Sequence, residues 1–204
     1  MKLIYLFLFI TILSACKKGQ SDFTIKGTIT DATYNQPLAN ATIYVTKTNQ
    51  SGIESHLTTL QTDSEGNYSF TTKRDRFNSV NLSLSKNGYF EINHLVNFDE
   101  LTLKNDNVIN LSTTGKSWVK IILKHSASSS TIMDIVRTKG KSGCEECCPE
   151  GYRRFTGITD TFFYCINDAA TKYEISYFKI NTSFNGTKEV TTTFMDTVDL
   201  ELNY

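Results

Sequence analysis

The sequence predicts an all-β protein built as two β-sandwiches in tandem. Three observations carry that expectation. Apolar and polar residues alternate with period two in several short runs, as in half-buried strands. Turn-forming Asn, Asp, Ser and Gly separate those runs at intervals of about eight to twelve residues, the spacing of sandwiches and barrels. Only two prolines, Pro37 and Pro149, interrupt the 204 residues, while strand-favouring Thr is plentiful. That length accommodates one large or two small domains. A composition that is 39% hydrophobic and 12% aromatic is enough for packed cores and argues against disorder. Lys+Arg and Asp+Glu both number 21. A nucleic-acid partner needs a basic excess to release phosphate counterions, so none is expected.

The chain opens with Lys2, an uninterrupted apolar run of eleven residues over Leu3–Leu13, and then Ser14, Ala15 and Cys16. Eleven helical residues reach about 16 Å of a ~30 Å hydrocarbon core, too short to span it. The pattern fits a cleaved export signal over residues 1–15. Leu13-Ser14-Ala15-Cys16 resembles the lipobox of bacterial lipoproteins, which implies that Cys16 is acylated and becomes the mature N-terminus. Several acyl chains, at ~0.8 kcal/mol per buried CH₂, anchor effectively irreversibly. The expected location is the cell envelope, at the outer membrane on its periplasmic or external face, with the membrane touched only through lipid on Cys16. Residues 16–22 read as a polar, flexible tether.

The first module is expected over residues 23–112. Phe23, Ile25, Gly27 and Ile29 alternate with Thr24, Lys26, Thr28 and Thr30, and Asp31–Pro37 is rich in turn formers. Ile43 and Val45 face away from Thr42, Tyr44 and Thr46. After Asn49-Gln50-Ser51-Gly52, His56–Thr62 leads into the turn Asp63-Ser64-Glu65-Gly66-Asn67 and on to Tyr68-Ser69-Phe70. Three of these stretches, Gly27–Asp31, Gln36–Ile43 and Thr62–Phe70, together resemble the carboxypeptidase-regulatory-like domain. The resemblance implies a transthyretin-like (prealbumin-like) sandwich and no activity, since in that family the module is an accessory. Asp63–Asn67 lacks the spacing and distant glutamate of a calcium loop, so it reads as a turn.

The polar stretch Ser112–Lys116 suggests a boundary, with a second module over residues 117–204. Val119, Ile121 and Leu123 alternate with Trp118, Lys120, Ile122 and Lys124; Ser126–Thr131 reads as a loop before Ile132–Val136. Thr161–Ile166 and Tyr173–Ile180 follow, and Asn185-Gly186 predicts a type I′ hairpin turn. Val198, Leu200, Leu202 and Tyr204 form a last half-buried strand. The expected fold is immunoglobulin-like or transthyretin-like, and the whole arrangement resembles two-domain lipoproteins of Bacteroidetes.

Cys144, Cys147, Cys148 and Cys165 fall in this module. An even number outside the cytoplasm points to disulfides. A bond between neighbours Cys147 and Cys148 would be strained, so one of them is expected to reach Cys165 and the other Cys144. The alternatives are free thiols, zinc and redox chemistry. Zinc lacks a second Cys-x-x-Cys knuckle, and Cys148-Pro149 with Gly151 stands where a thioredoxin-like motif needs a helix.

No catalytic residue, metal or cofactor is expected. His56, His94 and His125 stand in no His-Glu-x-x-His pattern, and no nucleophile elbow, P-loop or Gly-x-Gly-x-x-Gly is present. Glu145-Glu146 and Lys73-Arg74-Asp75-Arg76 read as solvated loops. Asp196-Thr197-Val198 resembles a Bacteroidetes O-glycosylation triplet or begins a strand. The sequence therefore points to a non-enzymatic envelope module with a protein or glycan partner. A glycan-binding protein of nutrient uptake, using exposed Tyr, Phe or Trp118, and a pilus or adhesin subunit are the alternatives.

Overall fold

The structure, a computed structural model, describes residues 22–124, 132–148, 151–156, 160–180, 182–183 and 185–203. Cys16, the signal segment, the 126–131 loop, His125 and Tyr204 lie outside the described residues. The first half folds into β1 (Asp22–Asp31), β2 (Gln36–Pro37), β3 (Thr42–Asn49), β4 (Glu54–Gln61), β5 (Asn67–Lys73), β6 (Phe77–Ser85), β7 (Ile92–Asn97), β8 (Asn107–Val108) and β9 (Leu111–Thr113). The second half folds into β10 (Lys116–Lys124), β11 (Ile132–Lys139), β12 (Tyr152–Thr156), β13 (Thr161–Asp168), β14 (Lys172–Lys179), β15 (Asn185–Thr191) and β16 (Thr197–Asn203). Single 3₁₀ turns at Phe98–Glu100 and Glu145–Cys147 are the only helical segments among the described residues. The protein is all-β, two sandwiches in tandem.

In the first sandwich, the sheet β2-β1-β5, with β8 and β9 parallel to β1, faces the sheet β4-β3-β6-β7. Period-two alternation brings Ile25 and Ile29 of β1, Ile43 and Val45 of β3, and Leu82 and Leu84 of β6 into one dry core. Burying each such side chain is worth about 1.5–3 kcal/mol. Gly27 is fixed by a close approach: a Cβ there would stand 1.8 Å from the Ile109 carbonyl oxygen, on the segment that crosses β1 between β8 and β9. Tyr68 holds the same carbonyl through its hydroxyl at 2.7 Å. Burial pushes the pKa of that phenol up to about 12. The β3–β4 register slips between Val45 and Thr46, and the extra residue, Leu57, packs toward the core.

The second sandwich stacks β13-β10-β16, in which β10 and β16 are parallel, on β12-β11-β14-β15. Val119, Ile121, Leu123, Met133, Ile175, Leu200 and Leu202 fill its core. Strands β6, β7 and β12 complete the two sheets. One expectation is overturned. Asn185 and Gly186 do not turn a hairpin; they lie inside β15, opposite Phe178 and Tyr177. Gly186 is there for space, because a Cβ would stand 2.5 Å from the Tyr177 hydroxyl oxygen. The chain reverses before Asn185, where the Thr182 amide donates to the Lys179 carbonyl.

Candidate functional site

The sulfurs pair as Cys144–Cys147 and Cys148–Cys165, with Cα atoms 5.2 and 5.1 Å apart. Cys147 and Cys165 are buried. The longer bridge ties the loop after β11 to β13, an edge strand, and closes a loop worth about 3 kcal/mol in chain entropy. The four cysteines thus build structure, and among the described residues no group of three or more His, Cys, Asp or Glu side chains is placed to hold a metal ion. His56 bonds to Thr59 and stacks on Tyr44, while His94 sits on β7 opposite Leu82. The Asp63 carboxylate is used within its own turn, accepting from the backbone amides of Asn67 and Glu65 and from the Asn67 side chain. The Asn67 amide above all holds its pKa below the usual carboxylate value. Gly66 supplies the left-handed φ of that turn, +76°.

An open cleft of about 710 Å³ is lined by Lys26, Thr28, Gln61, Asn67, Ser69 and Asn110, among others. Much of its polar lining is spent on bonds inside the protein. Lys26 pairs with Asp106 at 2.6 Å, and Asn110 Oδ1 accepts from both the amide and the hydroxyl of Thr28.

The junction between the sandwiches is more heavily built. Only Thr114 and Gly115 separate β9 from β10. Each is bonded to the first sandwich and to the second: the Phe90 amide donates to the Thr114 carbonyl, the Gly115 amide donates to Thr33 Oγ1, and the Ala169 amide donates to the Gly115 carbonyl. The Thr114 hydroxyl donates to Asp168. The Lys116 amide donates to the Gly88 carbonyl at 2.6 Å. Phe194, from the β15–β16 loop, crosses to the first core and packs on Tyr89, ring centroids 5.1 Å apart, and on Tyr34. Tyr89 donates its hydroxyl to the fully buried Asp31 at 3.0 Å. Burial first, then that hydrogen bond, pushes the Tyr89 pKa up to about 12. Lys141 bonds Asp168 at 2.8 Å and lies 4.0 Å over the Phe90 ring, adding a cation–π contact across the junction.

Outer faces of both sandwiches carry exposed aromatics, with Tyr152 and Phe178 on β12 and β14. On β13, Phe162 and Tyr164 are 55% and 54% exposed, edge to face, with the Lys120 ammonium 4.6 Å over Phe162. Trp118 is half-buried on neighbouring β10. On the first sandwich, Tyr44 stands on the outer face of β3 opposite Ser83. Sequence reasoning passed over the partners of Tyr44, namely Asn81, Ser83 and Asn93, because β6 and β7 were not recognised as strands. The available signal was the alternation Asn81-Leu82-Ser83-Leu84, which places both polar residues on one side.

No protein-family model matches the chain, and no curated protein matches it. The carboxypeptidase-regulatory-like resemblance therefore rests on its three motifs alone. Among solved structures, the chain is similar to 3-chlorocatechol 1,2-dioxygenase of Rhodococcus opacus, with 12% identity, 45% of this chain and 58% of that one covered, and a TM-score of 0.36. It is similar to a streptococcal ancillary pilin over 90% of this chain and 62% of that one, at 10% identity and a TM-score of 0.39. It is also similar to the minor pilin of Streptococcus agalactiae, at 9% identity, 89% and 94% coverage and a TM-score of 0.40. The chain thus spans less than two thirds of the length of the first two. The assignment of two tandem sandwiches stands on the strand pairing itself.

Proposed function

We propose that this chain is a non-enzymatic lipoprotein of the bacterial cell envelope, whose two stiffly joined sandwiches hold a binding surface away from the membrane. The observation that carries the reading is the junction: a two-residue link, bonded on both sides, with Phe194 set into the neighbouring core. A hinge would leave such a link solvated, whereas a spacer gains from having no freedom there. Cys16 supplies the anchor, and the tether of residues 16–22 supplies reach. The test has two arms. The native product is expected to carry acyl mass on Cys16 and to partition with detergent, and Cys16→Ser is expected to abolish both. In that soluble variant, nitroxide labels at exposed Ser69 and Asp199 are expected to give one narrow distance distribution by pulsed electron resonance. A broad distribution, or a native protein that still begins at Met1, overturns the reading, as does turnover in a hydrolase screen that one point mutation abolishes.

A pilus- or adhesin-type subunit is the second reading, favoured by the exposed Phe162–Tyr164 ridge on edge strand β13. A purified chain that remains monomeric at high concentration removes it.

A further inference from the structure

The outward face of the β4-β3-β6-β7 sheet is built almost wholly from uncharged side chains, in a chain of which 21% is charged. Tyr44 stands at its centre, 45% exposed, with its ring stacked on His56 at 4.8 Å between centroids. Beside it lies a set of amides and a hydroxyl: Ser83 directly across on β6, Asn93 across from Ser83 on β7, and Asn81 one step along. A chain of hydrogen bonds orients them. Asn81 Nδ2 donates to Ser83 Oγ at 3.3 Å, and Ser83 Oγ donates to Asn93 Oδ1 at 2.7 Å. That chain uses the Asn81 donor and the Asn93 acceptor. It leaves Asn81 Oδ1 as an acceptor and Asn93 Nδ2 as a donor, with no hydrogen bond to other described residues. Carboxylates stand toward the two ends of the face: Glu54, which accepts from the Thr46 hydroxyl, and Glu91, beside Ser85 and Lys86.

Charge and hydrogen-bond balance select the ligand class. A charged ligand would be desolvated here without a counter-charge. A ligand with no polar atoms could pack on the exposed Leu95, which stands across from Asn81, but it would cover the free amides and leave them unpaired, at a cost of about 1–3 kcal/mol each. A neutral pyranose satisfies both requirements: its C–H face packs on the electron-rich face of a tyrosine ring, and its vicinal hydroxyls both donate and accept. We propose that Tyr44, Asn81, Ser83 and Asn93 form a binding site for a neutral polysaccharide on the first sandwich. The inference gives a ligand class to the binding surface of the envelope module and rests on that reading only for access to extracellular sugar.

The test is affinity electrophoresis of the full mature chain through gels containing xylan, glucomannan or β-1,3-glucan, with polygalacturonate as the charged comparison. Retardation is expected in at least one neutral gel and not in polygalacturonate. Tyr44→Ala is expected to weaken binding about tenfold, Asn93→Ala by a smaller factor, and Tyr44→Phe only slightly, since the ring is kept. Tyr164→Ala, on the other sandwich, is expected to change nothing. These side chains are surface-exposed, and equal melting temperatures verify that each variant folds. No retardation in any neutral gel, retardation only in polygalacturonate, or equal retardation of Tyr44→Ala overturns the site. Anchorage is read separately by detergent partition. A chain that binds neutral glycan but never partitions keeps this site and discards the envelope reading, and the reverse result discards the site.

Discussion

The two four-stranded sheets present opposite surface chemistry from the same kind of scaffold. On the first sandwich, the outer face centred on Tyr44 is neutral, and its oriented amides turn spare donor and acceptor atoms to solvent. On the second, the outer face is closed by ion pairs: Arg154 grips Asp134 with two bonds of 2.8 and 2.7 Å, Lys139 meets Glu174 at 2.6 Å, and Lys172 meets Glu189 at 2.6 Å. Tyr152 and Phe178 lie over the same strands, 6.2 Å apart. A face whose charges satisfy one another is stable in water and has little left to offer a ligand. A face with unspent hydrogen-bonding atoms around a ring is poised to accept one. Under the proposed site, the first sandwich would recognise and the second would support.

The second sandwich carries both disulfides, and removing one strikes it first. The largest expected effect comes from Cys148→Ser with Cys165→Ser, which reopens the loop and costs about 3 kcal/mol. Hydrogen exchange should accelerate in β10–β16 while β1–β7 stay protected. The chain's single tryptophan, Trp118, lies on β10 and reports the same loss by fluorescence in denaturant. Equal acceleration in both halves would mean that the sandwiches unfold as one body.

The junction sharpens that point. Phe194→Ala removes a half-buried ring from the first core, and the expected cost is about 2 kcal/mol. The distinguishing readout is coupling. Denaturation monitored by Trp118 and by β1 amide exchange should lie closer together in the parent chain than in the variant. Coincident transitions in both would place the coupling in the Thr114–Gly115 hydrogen bonds rather than in the ring.

Much of the fold was legible in the sequence where burial on one side imposes period two. Strands β1, β3, β10 and β16 read directly because Ile, Val and Leu alternate with Thr, Lys or Asp. The cysteine pairing was legible in part: neighbours Cys147 and Cys148 must seek separate partners, but which of them reaches Cys165 came only from the structure. Asn185-Gly186 misled because the dipeptide has two physical uses. Glycine offers both left-handed backbone and absent volume, and only the structure reveals that Tyr177 needs the volume. The Tyr44 site was illegible for a different reason. Its four residues come from β3, β6 and β7, and strand register alone brings Ser83 beside Tyr44 and Asn93 beside Ser83. Phe194 was equally hidden, because a loop phenylalanine carries no sign of which core it enters.

The smallest expected effect concerns acid, and it addresses the surface difference directly. Hydrogen bonding to Arg154 holds the Asp134 carboxyl below its ordinary range; Lys139 and Thr138 do the same for Glu174, and Lys124 for Glu201. All three lie on the second sandwich, against Asp63 alone on the first. A carboxylate with a depressed folded pKa contributes stability that is present above its unfolded value, near 4, and is lost as pH falls through its folded value. Acidification below about pH 4 should therefore weaken the second sandwich before the first. The cationic partners Arg154, Lys139 and Lys124 are exposed, so screening keeps each contribution small, and added salt should shrink the difference further. Trp118 fluorescence against β1 amide exchange, followed from pH 6 to pH 2.5 (on the order of the carboxylate range), reads the order of loss. If the first sandwich yields at the higher pH, the ion-paired face contributes less to the second sandwich than its internal packing does.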